Sequence, residues 1–122
     1  MIYLDTSVAL AQLLAEDRIP AADLWAETLV SSRLLEYEMW TRIHARGLAA
    51  SHGDIVRALV GRTAFLELSP PVLSRALEPF PCSVRTLDAL HLASMEFLLR
   101  SGQVFELATY DERLRTAATA LG

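Results

Sequence analysis

Four carboxylates in this chain fall where side chains can do chemistry. Asp5 ends a short apolar run, Met1-Ile2-Tyr3-Leu4, and is followed by Thr6 and Ser7 before an apolar helical stretch. Asp111 comes just after a second such run, Val104-Phe105-Glu106-Leu107-Ala108-Thr109. Asp88 lies in the first turn of a helix expected over residues 86–100. Glu38 is in the body of a helix expected over residues 33–46, among Leu34, Leu35, Met39 and Ile43. In open parallel sheets, ligands sit in the crevice beyond the carboxyl ends of the strands, where all four acids could converge. Each also has an ordinary reading: Asp5 and Asp111 as helix caps, Asp88 as an anion at its own helix's positive end, Glu38 as a solvated edge residue. Capping does not account for Glu38. Carboxylates crowded into one site raise one another's pKa unless a cation offsets their charge. Oxygen ligands without a partner cysteine suit Mg2+ or Mn2+ better than zinc. Such a cation lowers the pKa of water and stabilises a phosphodiester under attack, so the set points to phosphodiester hydrolysis rather than sugar or acyl chemistry.

The elements that must position these acids alternate between strand and helix. The opening strand leads into a helix from Val8 to Leu14. Glu16-Asp17-Arg18-Ile19-Pro20 reads as a polar loop, with Pro20 suited to a helix's first turn. A short amphipathic segment over residues 21–27 precedes strand-like Thr28-Leu29-Val30-Ser31-Ser32. Ser32 opens the helix that carries Glu38, and Gly47 is its stop. A further helix starts at about His52 or Gly53 and runs to Arg62. It is followed by a strand over residues 64–68, a short helix from Val72 to Leu77, and a Pro-rich loop over residues 78–81. The helix over 86–100 ends near Gly102, a strand spans residues 104–109, and residues 112–121 form a last helix. This alternation implies a parallel sheet with helices on both faces, in one domain over residues 1–122.

Composition narrows the class. With 52% apolar and 21% charged residues, the chain is a folding sequence rather than a disordered one. Its single cysteine, Cys82, cannot form an internal disulfide, which fits a reducing cytoplasm. The opening residues lack a basic segment, and no apolar run approaches the roughly 20 residues of a membrane span. A cytoplasmic protein with no membrane partner is the expectation. The net charge of −4 argues against nucleic-acid binding by general attraction. It leaves room for an enzyme that gathers acids around metal and arginines elsewhere. All eleven basic residues are arginine.

Read together, Ile2-Tyr3-Leu4-Asp5-Thr6-Ser7, Ser31-Ser32 running into a helix with Glu38, Thr86-Leu87-Asp88-Ala89-Leu90-His91-Leu92-Ala93, and Ala108-Thr109-Tyr110-Asp111-Glu112-Arg113-Leu114 resemble a PIN domain. Within that class they resemble the toxin nucleases of VapBC-type toxin–antitoxin pairs. The pieces come in family order and span nearly the whole chain, Asp-Ala-Leu-His-Leu-Ala being the most distinctive. The resemblance implies a three-layer α/β/α sandwich with a central parallel sheet. It implies that Asp5, Glu38, Asp88 and Asp111 hold one or two Mg2+ or Mn2+ ions to cut RNA, with Thr6 or Ser7 and Thr109 orienting the carboxylates. It also implies a homodimer restrained by a small VapB-type antitoxin whose tail occupies the acidic groove. Glu36 competes with Glu38: two residues apart on a helix, they point about 200° away from each other, so both cannot enter one site. The spacing from Ser32 fits the family better at Glu38.

Other residues have lesser claims. His91 shares a helical face with Asp88, which offers a general-base role, but its apolar surroundings favour packing or a hydrogen bond to a neighbouring element. His44 and His52 read as surface residues and Cys82 as inert. Arg85, directly before the Thr-Leu-Asp motif, is a candidate for RNA phosphate or for a carboxylate at the rim. Arg42, Arg46, Arg113 and Arg115 are further phosphate candidates. Trp25, Trp40, Met39 and Leu48 suit the core, or an antitoxin or dimer surface. A response-regulator receiver domain has similar layering, but it needs paired acids after its first strand and a lysine near its last. Here Asp5 stands alone and lysine is absent. A degenerate PIN domain that only binds a partner conflicts with four filled acidic positions. A PIN nuclease for RNA processing outside a toxin pair is the remaining alternative.

Overall fold

In the computed structural model, residues 1–15 and 20–121 are described. Four strands form the middle layer: β1 (Ile2–Leu4), β2 (Leu29–Ser32), β3 (Thr63–Leu66) and β4 (Glu106–Ala108). They lie in the order β3-β2-β1-β4, and every pairing is parallel. Among the described residues six α-helices cover them: α1 (Thr6–Leu14), α2 (Leu34–Ala45), α3 (Ala49–Arg62), α4 (Pro70–Ala76), α5 (Thr86–Arg100) and α6 (Glu112–Leu121). A 3-10 turn spans Ala22–Ala26. The expected three-layer α/β/α sandwich is the fold observed.

Successive strand residues point to opposite faces, and this sorts the core. Leu4 and Leu29 join Val8 and Leu13 of α1, Leu35, Met39 and Ile43 of α2, and Val56 and Leu59 of α3. Tyr3 and Val30 face the other way, against Leu92, Met95 and Leu98 of α5 and Leu114 and Ala117 of α6. Each fully buried aliphatic side chain contributes roughly 1.5–3 kcal/mol. With both faces covered, all four residues of β2 are buried, Ser31 and Ser32 included. Helix α4 packs on α5.

Both glycine stops fall as expected. Gly47 has φ 66° and Gly102 has φ 84°, the left-handed conformation that glycine adopts without penalty. After α2, Gly47 N–H reaches His44 O at 3.0 Å and Leu48 N–H reaches Ile43 O at 3.0 Å. After α5, Gly102 N–H reaches Leu99 O at 3.1 Å and Gln103 N–H reaches Leu98 O at 3.0 Å. Each pair closes the last carbonyls of its helix.

Several boundaries move. Helix α1 starts at Thr6 rather than Val8 because Asp5 is its cap. Helix α3 starts at Ala49, three residues before His52, since nothing in Ala49-Ala50-Ser51 resists a helix. Strand β3 follows it without a loop and stops at Leu66 rather than residue 68, because its partner β2 ends at Ser32, opposite Leu66. Strand β4 is similarly trimmed to Glu106–Ala108 by the three residues of β1. In the polar loop expected over residues 16–20, residues 16–19 lie outside the described residues.

Candidate active site

The sheet order makes one crevice special. The chain leaves β1 towards β2 and β3, then returns to add β4 on the other side of β1. Connections therefore diverge from the neighbouring carboxyl ends of β1 and β4, the switch point at which α/β sheets place ligands. Asp5 follows β1, and Thr109 and Asp111 follow β4. The N-termini of α1 and α6 open beside them, and their positive ends favour carboxylates.

Asp5 is buried, and its Oδ2 accepts three hydrogen bonds. They come from Ser7 Oγ at 2.6 Å, Thr109 Oγ1 at 2.7 Å and Ser7 N–H at 3.3 Å. Asp5 therefore caps α1 itself, and the Ser7 hydroxyl is spent on the carboxylate rather than on the helix end. The two hydroxyls are in turn held from behind: Tyr110 N–H donates to Ser7 Oγ at 2.9 Å, and Asp111 N–H donates to Thr109 Oγ1 at 2.9 Å. Backbone of the β4–α6 turn thus fixes hydroxyls that fix Asp5. Among the described residues, no hydrogen bond is given to Asp5 Oδ1. Capping and a second role are compatible, because they use different oxygens.

Asp111 repeats the arrangement. Its Oδ1 accepts from Arg113 N–H at 2.9 Å and Leu114 N–H at 3.3 Å, which caps α6. Arg115 ties the same turn together by donating to Thr109 O at 2.5 Å, so its guanidinium is engaged by backbone.

Glu38 reaches the site from α2. Its Oε1 accepts from Thr6 Oγ1 at 2.8 Å and lies 2.7 Å from His91 Nε2. Glu36, on the other side of the helix, is drawn outward by Arg33 at 3.1 Å. Arg33 also forks onto Glu67 at 2.7 Å, which holds that carboxyl below its ordinary range, and it lies over the Phe65 ring. Of the two glutamates, Glu38 is the one that contacts the Thr6 hydroxyl beside Asp5. Ser32 Oγ accepts from Leu34 N–H at 3.1 Å, setting the first turn of this helix as its sequence position suggests.

Asp88, in the first turn of α5, has no such anchoring hydroxyl among the described residues. Arg85 Nε stands 3.9 Å from it. Burial raises the Asp88 pKa most, and the negative charges of Asp111 and Asp5 raise it further, against a lowering by Arg85. Asp111 and Asp5 are therefore close enough for their charges to be felt at Asp88. Beside Asp88, a groove is lined by Val84, Arg85, Glu112, Arg113 and Thr116.

Whether these residues fit a divalent cation can be judged on chemistry and on spacing. The donors are all oxygen, the choice of hard cations, and a cation would relieve both the burial and the neighbouring negative charges that raise the Asp88 carboxyl. In spacing, no group of three or more His, Cys, Asp or Glu among the described residues stands ready to hold a metal ion. The donor set fits, and the carboxylates must draw together to use it.

Two residues at the site were given no chemical part by sequence. Tyr3 is fully buried, and burial drives its pKa far above the usual value, so it keeps its proton. Its hydroxyl lies 2.9 Å from His91 Nδ1 and accepts from Ser32 N–H at 3.2 Å. His91 bonds to neighbouring elements, as expected, and one of its partners is Glu38. The available signal was a lone tyrosine in an aliphatic strand, since a buried phenol needs a partner.

In sequence, the chain is similar to known proteins along its whole length. A family model described as PIN domain matches residues 2–120. Ribonuclease VapC47 of Mycobacterium tuberculosis is 30% identical over 129 residues, covering 100% of this chain and 93% of the relative. Ribonuclease VapC46 of the same species is 32% identical over 124 residues, covering 99% and 92%. Ribonuclease VapC35, also of that species, is 31% identical with 99% and 92% covered. No solved structure gives a significant match.

Proposed function

Because this chain belongs to the PIN-domain family, with VapC-type relatives along its full length, we propose that it is an endoribonuclease, the toxic half of a toxin–antitoxin pair. The observation that carries the reading is the gathering of Asp5, Asp88 and Asp111 at one switch point, with Asp88 raised by burial and then by the charges of Asp111 and Asp5, and Glu38 tied in through Thr6. Mg2+ or Mn2+, when bound, supplies the charge that lowers the pKa of water and offsets a phosphodiester under attack.

The chain's own residues do the rest. Asp5, Glu38 and Asp111 each offer the oxygen that the protein leaves untethered, and Asp88 offers its carboxylate without a hydroxyl anchor. Thr6 holds the tethered oxygen of Glu38, and Ser7 and Thr109 hold that of Asp5, which leaves the other oxygen of each to a cation. Arg85 and Arg113, on the walls of the groove beside Asp88, meet phosphates flanking the scissile one. Local arginines are needed because the whole molecule is anionic. A cognate VapB-type antitoxin restrains the activity in the cytoplasm, and the working form is a homodimer. No helix among the described residues is long and apolar enough to cross a membrane.

The test is cleavage of structured and unstructured RNAs by the purified chain, with and without Mn2+. Asp5→Asn keeps a capping oxygen in place, so it should stay folded while losing cleavage by about 100-fold or more. Asp88→Asn should do the same, and Arg85→Ala should raise KM more than it lowers kcat. Metal-independent cleavage that survives both acid substitutions would sink the mechanism. If expression fails to slow growth, or the product of a neighbouring small reading frame fails to restore it, the toxin assignment falls and the nuclease remains.

A further inference from the structure

Tyr3 is the largest of the fully buried side chains among the described residues. Its hydroxyl accepts from Ser32 N–H at 3.2 Å, so its own hydrogen must go elsewhere. Two acceptors are in range: His91 Nδ1 at 2.9 Å and the His91 carbonyl at 3.5 Å. The nearer one takes it. A neutral imidazole that accepts at Nδ1 carries its hydrogen on Nε2, and Nε2 lies 2.7 Å from Glu38 Oε1. A carboxylate can only accept, so every group in the series Ser32 N–H, Tyr3 O–H, His91 Nε2–H, Glu38 is satisfied in one direction, from core to site.

Simple satisfaction of a buried histidine does not require that endpoint. The series ends on a carboxylate that Thr6 Oγ1 also grips, and both donors choose Oε1. Asp5 is held in the same manner by Ser7 and Thr109, both on Oδ2. The two acids thus have one oxygen each tied by paired donors, and for Glu38 one of those donors is an imidazole. His91 and Tyr3 are nearly or wholly out of solvent, whereas the Glu38 side chain keeps 20% exposure.

We infer that Tyr3 and His91 are positioning residues for Glu38: the phenol fixes the imidazole with its hydrogen on Nε2, and that N–H pins Oε1 so that Oε2 is the oxygen left for a cation. The inference rests on the reading of Glu38 as a metal ligand. Outer partners of this kind change metal affinity about 10–100-fold when removed.

The experiment titrates Mn2+ into the full chain without RNA, following free Mn2+ by electron paramagnetic resonance, with thermal melts of the metal-free protein alongside. His91→Leu should raise the Mn2+ Kd by about 10–100-fold. His91→Gln, whose amide nitrogen can stand in for Nε2–H, should recover most of that loss. Tyr3→Phe should raise Kd by a smaller factor, and His91→Leu should add nothing to Glu38→Gln. A lower Tm with unchanged Kd in His91→Leu and Tyr3→Phe overturns the inference, for then both residues only fill the core. Should His91→Leu not fold, an unchanged Kd in Tyr3→Phe overturns it equally. If Glu38→Gln leaves Kd untouched, the ligand reading fails and takes this inference with it. If Glu38→Gln weakens binding and His91→Leu does not, only the inference falls.

Discussion

Asp88 keeps its charge against the preference of its surroundings. Its pKa in the folded chain lies above the ordinary value of 3.8, chiefly through burial and then through Asp111 and Asp5. The native state therefore holds this proton more tightly than the unfolded chain does. The stability linked to it is full below pH 3.8 and is lost as pH rises through the raised native value. At neutral pH the ionised carboxylate works against the metal-free fold. Asp88→Asn should accordingly raise Tm at about pH 7, and the two proteins should converge as pH falls towards the unfolded value. Mn2+ should reverse the order, since a ligand at 100 times its Kd stabilises by about 2.7 kcal/mol and the variant binds it poorly. Metal-free and Mn2+-loaded melts across the acid to neutral range measure both effects. A variant no more stable than the parent at neutral pH without metal would show that the repulsion is not felt. The same conflict explains the hydroxyls: Asp5 sits deeper than Asp88, and it is Asp5 that receives Ser7 and Thr109.

At the level of elements, three helices end in the left-handed region, and one does so with the wrong residue. Gly47 and Gly102 close α2 and α5, but Ala15 closes α1 with φ 50° and ψ 48°, its N–H bonded to Ala11 O. A Cβ in that conformation costs roughly 1–2 kcal/mol, part of which glycine returns through a freer unfolded chain. Ala15→Gly should therefore stabilise by about 1 kcal/mol and raise Tm by a few degrees. Gly47→Ala, with open space around the new Cβ, should lower it by a similar amount. Equal melting of all three proteins would remove the argument. The glycine stops were legible in sequence because a single residue type satisfies a single backbone requirement. The ends of β3 and β4 were not, since a strand extends only as far as its partner, and β1 and β2 are distant in sequence. Glu38 was preferred to Glu36 on its interval from Ser32 and not on helical periodicity, for a related reason. A helix pattern gives faces but not their neighbours, and it took Arg33 on one side and Thr6 with His91 on the other to distinguish them. The capping role of Asp5 was weighed against a chemical one as though they excluded each other; with two oxygens they do not.

For the molecule as a whole, the family order of motifs predicted the layering because three of the four motifs mark the ends of strands, β1, β2 and β4. What it could not give is how tightly the first and last parts are joined. Asp5 and Thr109 lie 104 residues apart and are bonded at 2.7 Å, while Ser7 and Tyr110, separated by 103, are bonded at 2.9 Å. The first acid to be made waits for the last strand to orient it. During synthesis, a chain that has not yet added residues 106–111 has an Asp5 without Thr109, no β4 beside β1, and no Asp111. A ribosome making this protein would therefore be spared by its own product until that segment has emerged and docked. Stalled nascent chains ending before residue 106 should leave RNA intact, whereas released full chains should cut it. Cleavage by the shorter chains would show that the two halves of the groove work apart.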